Sequence, residues 1–167
     1  MNLPDAEVLC QELVHRLRSG VTDSTGLVGI RTGGAWLAER LHRDLGLSTP
    51  MGALDISFYR DDFHAAGLRH QVKPSQIPFD VNGAHIVVVD DVLYTGRTVR
   101  AAMNEIFDYG RPAKIDLAVL IDRGGRELPV AASIVGATIE LPASVSVVLT
   151  RDDDDRLHLT METRSDD

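Results

Sequence analysis

The chain has 167 residues, the size of one domain with a single sizeable core. Hydrophobic residues make up 44% and charged residues 25%, an ordinary balance that excludes collagen-like, low-complexity and wholly disordered chains. The net charge of −8 argues against a protein coated in nucleic acid, while leaving room for a local basic face. No apolar run reaches the roughly 18–20 residues of a membrane helix. The N-terminal MNLPDAEVLC has no basic stretch followed by an apolar one, so no secretory signal is read there. Cys10 stands alone, so it has no partner for an intramolecular disulfide, and no Cys/His group has zinc spacing. A cytoplasmic setting is the expectation.

In chain order, residues 5–19 place Ala6, Leu9, Cys10, Leu13, Val14 and Leu17 on one helix face, with Pro4 near the start and Gly20 past the end. Leu27–Ile30 is a short apolar run before Arg31-Thr32-Gly33-Gly34. Residues 35–45 read as a second helix that buries Leu37, Leu41 and Leu45 and stops at Gly46. Trp36 is expected in a core or an interface. Alternation of Leu54, Ile56 and Phe58 with Asp55 and Ser57 predicts a strand over 53–59. Residues 60–83 are polar and lack a period, which suits a functional lid or a disordered connection; a hairpin arm returning at Gln71–Lys73 is the other reading.

His85–Val89, bounded by Gly83 and Asp90, reads as a central strand buried on both faces. Residues 96–109 read as a helix with Val99, Ala102, Met103, Ile106 and Phe107 inward, closed by Gly110. Ile115–Ile121 is the next buried strand. Val145–Thr150 and Leu157–Met161 form a predicted hairpin across the acidic turn Arg151–Arg156. Strand and helix alternate, so the expected class is α/β with a mostly parallel central sheet.

The chemistry concentrates in Val87–Thr98, VVVDDVLYTGRT. A buried strand leads into Asp90 and Asp91, a short turn follows, and Thr95-Gly96-Arg97-Thr98 opens a helix. In a parallel sheet this puts two carboxylates at the carboxyl end of a strand, where open α/β sheets bind ligands. The helix start offers unpaired amides and the positive end of its dipole, an anion site. Gly96 allows close backbone approach, and the Thr95 and Thr98 hydroxyls add donors. Acids beside an anion cradle repel a bare phosphate. Together they suit a phosphorylated sugar, with its hydroxyls on the acids and its phosphate on the helix. The same Asp pair can help hold a hydrated Mg²⁺. Ordinary helix capping accounts for one Asp and one Thr, not for the second Asp and the TGRT run.

VVVDDVLYTGRT resembles the phosphoribosyl diphosphate (PRPP) motif of the type I phosphoribosyltransferases. LDISFYRDD (Leu54–Asp62), VDDVLYTGRTVRAAM (Val89–Met103), GRPAKIDLAVLIDRG (Gly110–Gly124) and RELPV (Arg126–Val130) resemble the pyrimidine operon regulator/uracil phosphoribosyltransferase family, over about residues 5–162. The resemblance implies a single type I phosphoribosyltransferase domain over 1–167, with a flexible loop at about 60–83 and a small hood at about 122–143. It implies uracil plus PRPP going to UMP and pyrophosphate, with Mg²⁺ carried mainly by substrate and water. Asp90 and Asp91 are then the catalytic pair on the ribose hydroxyls. The PRPP and nucleotide site is Arg31, Thr32, Gly33, Asp90, Asp91, Val92, Leu93, Tyr94, Thr95, Gly96, Arg97 and Thr98. Arg60, Arg69 and Lys73 are expected to meet pyrophosphate from the flexible loop. Arg123, Ile134 and Val135 are expected at the uracil end. A cis peptide is expected at Arg31–Thr32.

The chain departs from the family pattern at three places. Gly33 stands where a second basic residue is usual, Gly125 stands where a histidine is usual, and Ala137-Thr138 replaces a Lys-Asn pair. The family also implies a homodimer or higher homo-oligomer, a response to UMP, and binding of the leader mRNA of pyrimidine genes. Arg16, Arg18, His42 and Arg43 are the basic residues available for RNA, against the plainer reading of two solvated helix faces. The alternative function is a nucleotide-sensing RNA regulator with little or no enzymatic activity. A transferase acting on orotate or a purine is the third reading.

Overall fold

Five strands form one parallel sheet in the order β2-β1-β3-β4-β5. They are β1 (Gly26–Ile30), β2 (Gly52–Leu54), β3 (His85–Leu93), β4 (Lys114–Asp122) and β5 (Ile134–Thr138). The computed structural model describes residues 1–56 and 75–164. Strand β1 is buried at every position, as a strand covered on both faces must be. Helices α1 (Ala6–Leu17) and α2 (Gly33–Leu45) cover one face of the sheet. Leu9, Leu13 and Leu17 of α1 meet Leu37 and Leu41 of α2 over Leu27, Val87 and Leu120. Helix α3 (Arg97–Tyr109) covers the other face with Val99, Ala102 and Ile106 against Val28, Ile86, Val88 and Val119.

Local signals set the helix ends. The Asp5 carboxylate caps α1 by accepting from the Val8 amide at 3.1 Å. Gly46 closes α2 at φ 64°, and the Gly46 and Leu47 amides return to the carbonyls of Arg43 and His42. Among the described residues no helix is long and apolar enough to cross a membrane.

A separate antiparallel hairpin, β6 (Val145–Arg151) and β7 (Leu157–Thr163), turns at Asp152–Arg156 as the sequence predicts. Leu149 and Leu157 plug it into the α1/α2 side of the core. Glu7 of α1 fastens it there. Its carboxylate accepts from the Arg40 guanidinium of α2 and from the Leu157 amide at 2.7 Å, while Arg40 also donates to the Asp155 carbonyl at 2.6 Å. Trp36 is half-buried under the Arg151 guanidinium, whose Cζ lies 5.0 Å from the ring. Cys10 is buried, and burial first of all pushes its thiol up to about 12.

The structure corrects several expectations. Strand β3 does not stop at Val89 but runs through Asp90 and Asp91 to Leu93, because β4 continues beside it with Val92 opposite Ile121 and Leu93 opposite Asp122. Strand β2 is confined to Gly52–Leu54, and residues 57–59 of the predicted strand lie outside the described residues. Ile134 and Val135, expected only at the uracil end, belong to the sheet's fifth strand, Ile134–Thr138. Phe107, expected inward, is 56% exposed, because Val99, Ala102 and Ile106 already fill the face of α3 that meets the sheet. The part of the long connection after residue 74 is packed rather than loose. Gln76 bridges antiparallel to Ala53, and the Phe79 ring covers Gly26.

Glu7 supplies a pH test of the hairpin clamp. Burial raises its pKa, but the Arg40 guanidinium and the Leu157 amide outweigh burial and hold it below its ordinary 4.5. A carboxylate depressed on folding contributes stability above its unfolded pKa and loses it as pH falls through the folded value. Thermal unfolding of the wild type and Glu7→Gln is therefore expected to differ most near neutral pH, with the gap closing as pH drops below about 4.5. A gap that widens in acid contradicts the clamp.

Candidate active site

Strand order 2-1-3-4-5 places the sheet's switch point between β1 and β3, whose carboxyl ends open a crevice there. The loop after β1 and the loop after β3 meet in it. They meet closely because the first is built of glycine. A Cβ on Gly34 would stand 2.6 Å from the Val89 carbonyl oxygen, and one on Gly33 2.4 Å from Asp91 Oδ2. On β1, a Cβ at Gly29 would stand 2.7 Å from the Ala35 Cα. The N-terminus of α2 thus lies directly against the Asp90–Asp91 segment. The Arg31–Thr32 peptide in this loop is cis.

Asp90 is 1% exposed, and its Oδ1 accepts from the Asp91 amide at 2.9 Å. Asp91 is half-buried, and its Oδ1 accepts from the Val92 amide at 2.9 Å. Each carboxylate is oriented by the backbone that follows it. At the turn, Gly96 sits at φ 93°, a left-handed conformation that favours glycine, and a Cβ there would also crowd Val130 at 3.2 Å. The Arg97 amide donates to Thr95 Oγ1 at 3.2 Å. The Thr98 and Val99 amides, in the first turn of α3, have no intrahelical acceptor and face the helix entrance.

A cavity of about 400 Å³ opens over this turn, within the range of small-molecule sites. Asp90, Asp91, Val92, Leu93, Tyr94, Thr95, Gly96 and Thr98 form its floor, and Arg123 closes one end. The opposite wall was missed in the sequence: Ser146, Val147 and Val148 of β6, with Glu162 of β7 and Arg164 just past its end. Period-two alternation shows which hairpin residues share a face, but not that this face meets the end of β3.

A second omission is Arg126. Its guanidinium donates to the Val130 carbonyl at 2.9 Å, the Tyr94 carbonyl at 2.7 Å and Asp122 Oδ2 at 2.5 Å. The Glu127 and Leu128 amides both donate to the Thr95 carbonyl. The segment after β4 therefore braces the turn at the Tyr94 and Thr95 carbonyls. Gly125 completes the fit at φ 78°, since a Cβ there would lie 2.3 Å from Tyr94 Cε2.

The other expected site residues fall as follows. Arg31 is half-buried with an unpartnered Nε, and Thr32 caps α2 through its backbone; with Gly33 they adjoin the carboxylates but do not line the cavity. Arg97 points away to Glu127, at 2.9 Å. Arg123, expected at the base, is 3% exposed and bound to the Val145 and Pro142 carbonyls at 2.5 and 2.9 Å, with Cζ 4.0 Å from the Tyr94 centroid. Burial first of all lowers its pKa. Ile134 and Val135 sit in β5, outside the cavity lining. Arg60, Arg69 and Lys73 lie outside the described residues.

A family model described as a phosphoribosyl transferase domain matches residues 7–155. The chain belongs to the phosphoribosyltransferase family. Its relatives in that family include the Bifunctional protein PyrR of Pseudomonas putida, 48% identical over 155 residues and 90% of each chain. The Bifunctional protein PyrR of Nitrosococcus oceani is 52% identical over 147 residues, 87% of this chain and 83% of that one. In fold the chain is similar to a hypoxanthine-guanine phosphoribosyltransferase from Bacillus anthracis, with a TM-score of 0.66 and 19% identity over 87% of this chain and 85% of that chain.

For a phosphoribosyltransferase built this way, the glycine contact under the carboxylates is a structural demand. Gly34→Ala drives a methyl group into a backbone carbonyl, which has no rotamer to escape by. The expected loss is about 1–3 kcal/mol in denaturant unfolding. Wild-type stability in that variant contradicts the close approach.

Proposed function

We propose that this cavity joins uracil to the phosphoribosyl group of PRPP, releasing pyrophosphate and forming UMP, in a protein of the PyrR group that couples this activity to regulation of pyrimidine genes. The observation that carries the reading is the joint presence of two oriented carboxylates and a helix entrance on one cavity floor. Asp90 and Asp91 accept hydrogen bonds from the ribose diol. The Thr98 and Val99 amides, with the Thr95 and Thr98 hydroxyls, hold the 5-phosphate. Arg31 and Thr32, at the neighbouring loop, face the pyrophosphate side.

In the reaction the bond from the anomeric carbon to pyrophosphate breaks, and its electron pair leaves with pyrophosphate. The bond to uracil N1 forms, and the N1 proton is lost. The transition state has oxocarbenium character. Its demands on the protein are position and charge placement rather than covalent chemistry. The residues present fit a Mg²⁺ that arrives with its ligand. Asp90 and Asp91 supply two carboxylates, and the described residues hold no group of three or more His, Cys, Asp or Glu that would cage an ion alone. Such an ion, when bound, would supply positive charge against the leaving pyrophosphate. Uracil is assigned to the end bounded by Val92, Leu93 and Arg123, with β5 setting the edge beyond.

RNA binding is part of the proposal for the regulatory role. Helices α1 and α2 bring Arg16, Arg18, His42 and Arg43 to their carboxyl ends, where the Arg18 guanidinium donates to the Asp44 carbonyl at 3.1 Å. Arg16 leans on Glu12 and Arg43 on Asp44, so an RNA phosphate must compete with acids already in place. A gel shift with pyrimidine leader RNA is expected only at low salt and only with UMP present. No shift under those conditions removes the RNA arm of the proposal.

For the enzymatic arm, replacing both Asp90 and Asp91 with Asn is expected to cut uracil-dependent pyrophosphate release about 100-fold or more, with the circular dichroism spectrum unchanged. Turnover at the wild-type rate in that double variant refutes the assigned roles.

A further inference from the structure

Two charged residues of the cavity wall have no part in the reaction as described. Glu162 of β7 and Arg164, just past the end of that strand, both line the cavity and are both exposed. They stand two positions apart on extended chain, so their side chains leave the backbone on the same face. The hairpin holds that segment in register. Glu162 lies opposite Ser146, and the Arg164 amide donates to the Ser144 carbonyl at 2.7 Å. The Arg164 Cζ is 5.8 Å from the centroid of the Tyr94 ring, the same ring that carries the Arg123 Cζ at 4.0 Å. Arg123 bounds the end of the cavity assigned to uracil, so Arg164 stands at that end, with Glu162 beside it along the strand. Arg123 itself is 3% exposed and bonded to the Val145 and Pro142 carbonyls, so it closes this end rather than reaching into it.

Among the described residues neither Glu162 nor Arg164 makes an ion pair, with the other or with a third group, and neither side chain makes a hydrogen bond. The pair therefore presents a group that only accepts next to a group that only donates. Uracil has the matching order on one edge: N3–H donates, and the carbonyl beside it accepts. Cytosine does not. Its N3 is a lone pair that would face the carboxylate, and its 4-amino group would face the guanidinium. A site that leaves such groups unpaired rejects the wrong ligand more strongly than a missing apolar contact does.

We propose that Glu162 and Arg164 are specificity-determining residues, the carboxylate accepting from N3–H of uracil and the guanidinium donating to the adjoining carbonyl. The assignment rests on the phosphoribosyl reading above and deepens it. The Asp pair and the start of α3 take the sugar and its phosphate, and the hairpin reads the base.

Calorimetric titration of the full chain with UMP, CMP and PRPP tests it, using Glu162→Leu and Arg164→Met. The wild type is expected to hold UMP more tightly than CMP. Each variant is expected to weaken UMP about tenfold and to lower the UMP-to-CMP preference by a similar factor. PRPP, which has no base, is expected to bind each variant as it binds wild type. An unchanged UMP-to-CMP preference in either variant overturns the assignment. So does an equal loss for PRPP, because the residue then acts on phosphate or on the fold. A wild type that binds PRPP but holds UMP no more tightly than CMP overturns the assignment alone. A wild type that binds neither UMP nor PRPP overturns the phosphoribosyl reading itself, and this assignment with it.

Discussion

The active site depends on how closely two loops approach each other at the switch point of the sheet. Gly29, Gly33 and Gly34 remove the side chains that would otherwise separate α2 from the end of β3. Interior packing has little slack, so a methyl group against a backbone carbonyl moves a whole element rather than an atom. With the glycines in place, the start of α2, the Asp pair and the start of α3 share one crevice. Without that contact, the Arg31–Gly34 loop and the Asp pair would belong to separate surfaces.

The second constraint is on the loops themselves. Parallel strands end in loops that lack ladder partners, and their carbonyls need donors. Here arginines supply them. Arg126 ties Asp122, Tyr94 and Val130 together, and Arg123 ties Tyr94 to the hairpin. Burying the Arg123 guanidinium costs solvation, which two carbonyls and an aromatic face offset. The Tyr94–Thr95 turn is thereby held before any ligand arrives, and such preorganisation is what a charge-developing reaction needs.

Charge explains why one cavity suits a phosphorylated sugar. The chain is strongly acidic overall at −8, and two of its acids, Asp90 and Asp91, line the cavity. A free anion meets these acids. A ligand that presents hydroxyls to them and phosphate to the helix amides meets complementary groups at both ends. The basic residues at the ends of α1 and α2 are balanced by Glu12 and Asp44, so that surface is far less one-sided than a list of its arginines suggests.

The sequence alone determined whatever depends on neighbours along the chain. VVVDDVLYTGRT exposes its chemistry because carboxylates, turn glycine and helix start are consecutive. The buried strands announce themselves as apolar runs, and Gly46 and Asp5 mark helix ends by local hydrogen bonding. Tertiary structure decided what depends on partners far away in the chain. Asp90 to Leu93 are strand only because β4 runs beside them, and half-buried Ile134–Thr138 is strand only because β4 has a free edge. The hairpin becomes a cavity wall through the clamp of Glu7 and Arg40 and the Arg123 bonds to its base. Backbone preference and hydrophobic period act over a few residues and are written locally. Register, burial and the meeting of two surfaces are properties of pairs of segments, and no single segment encodes them.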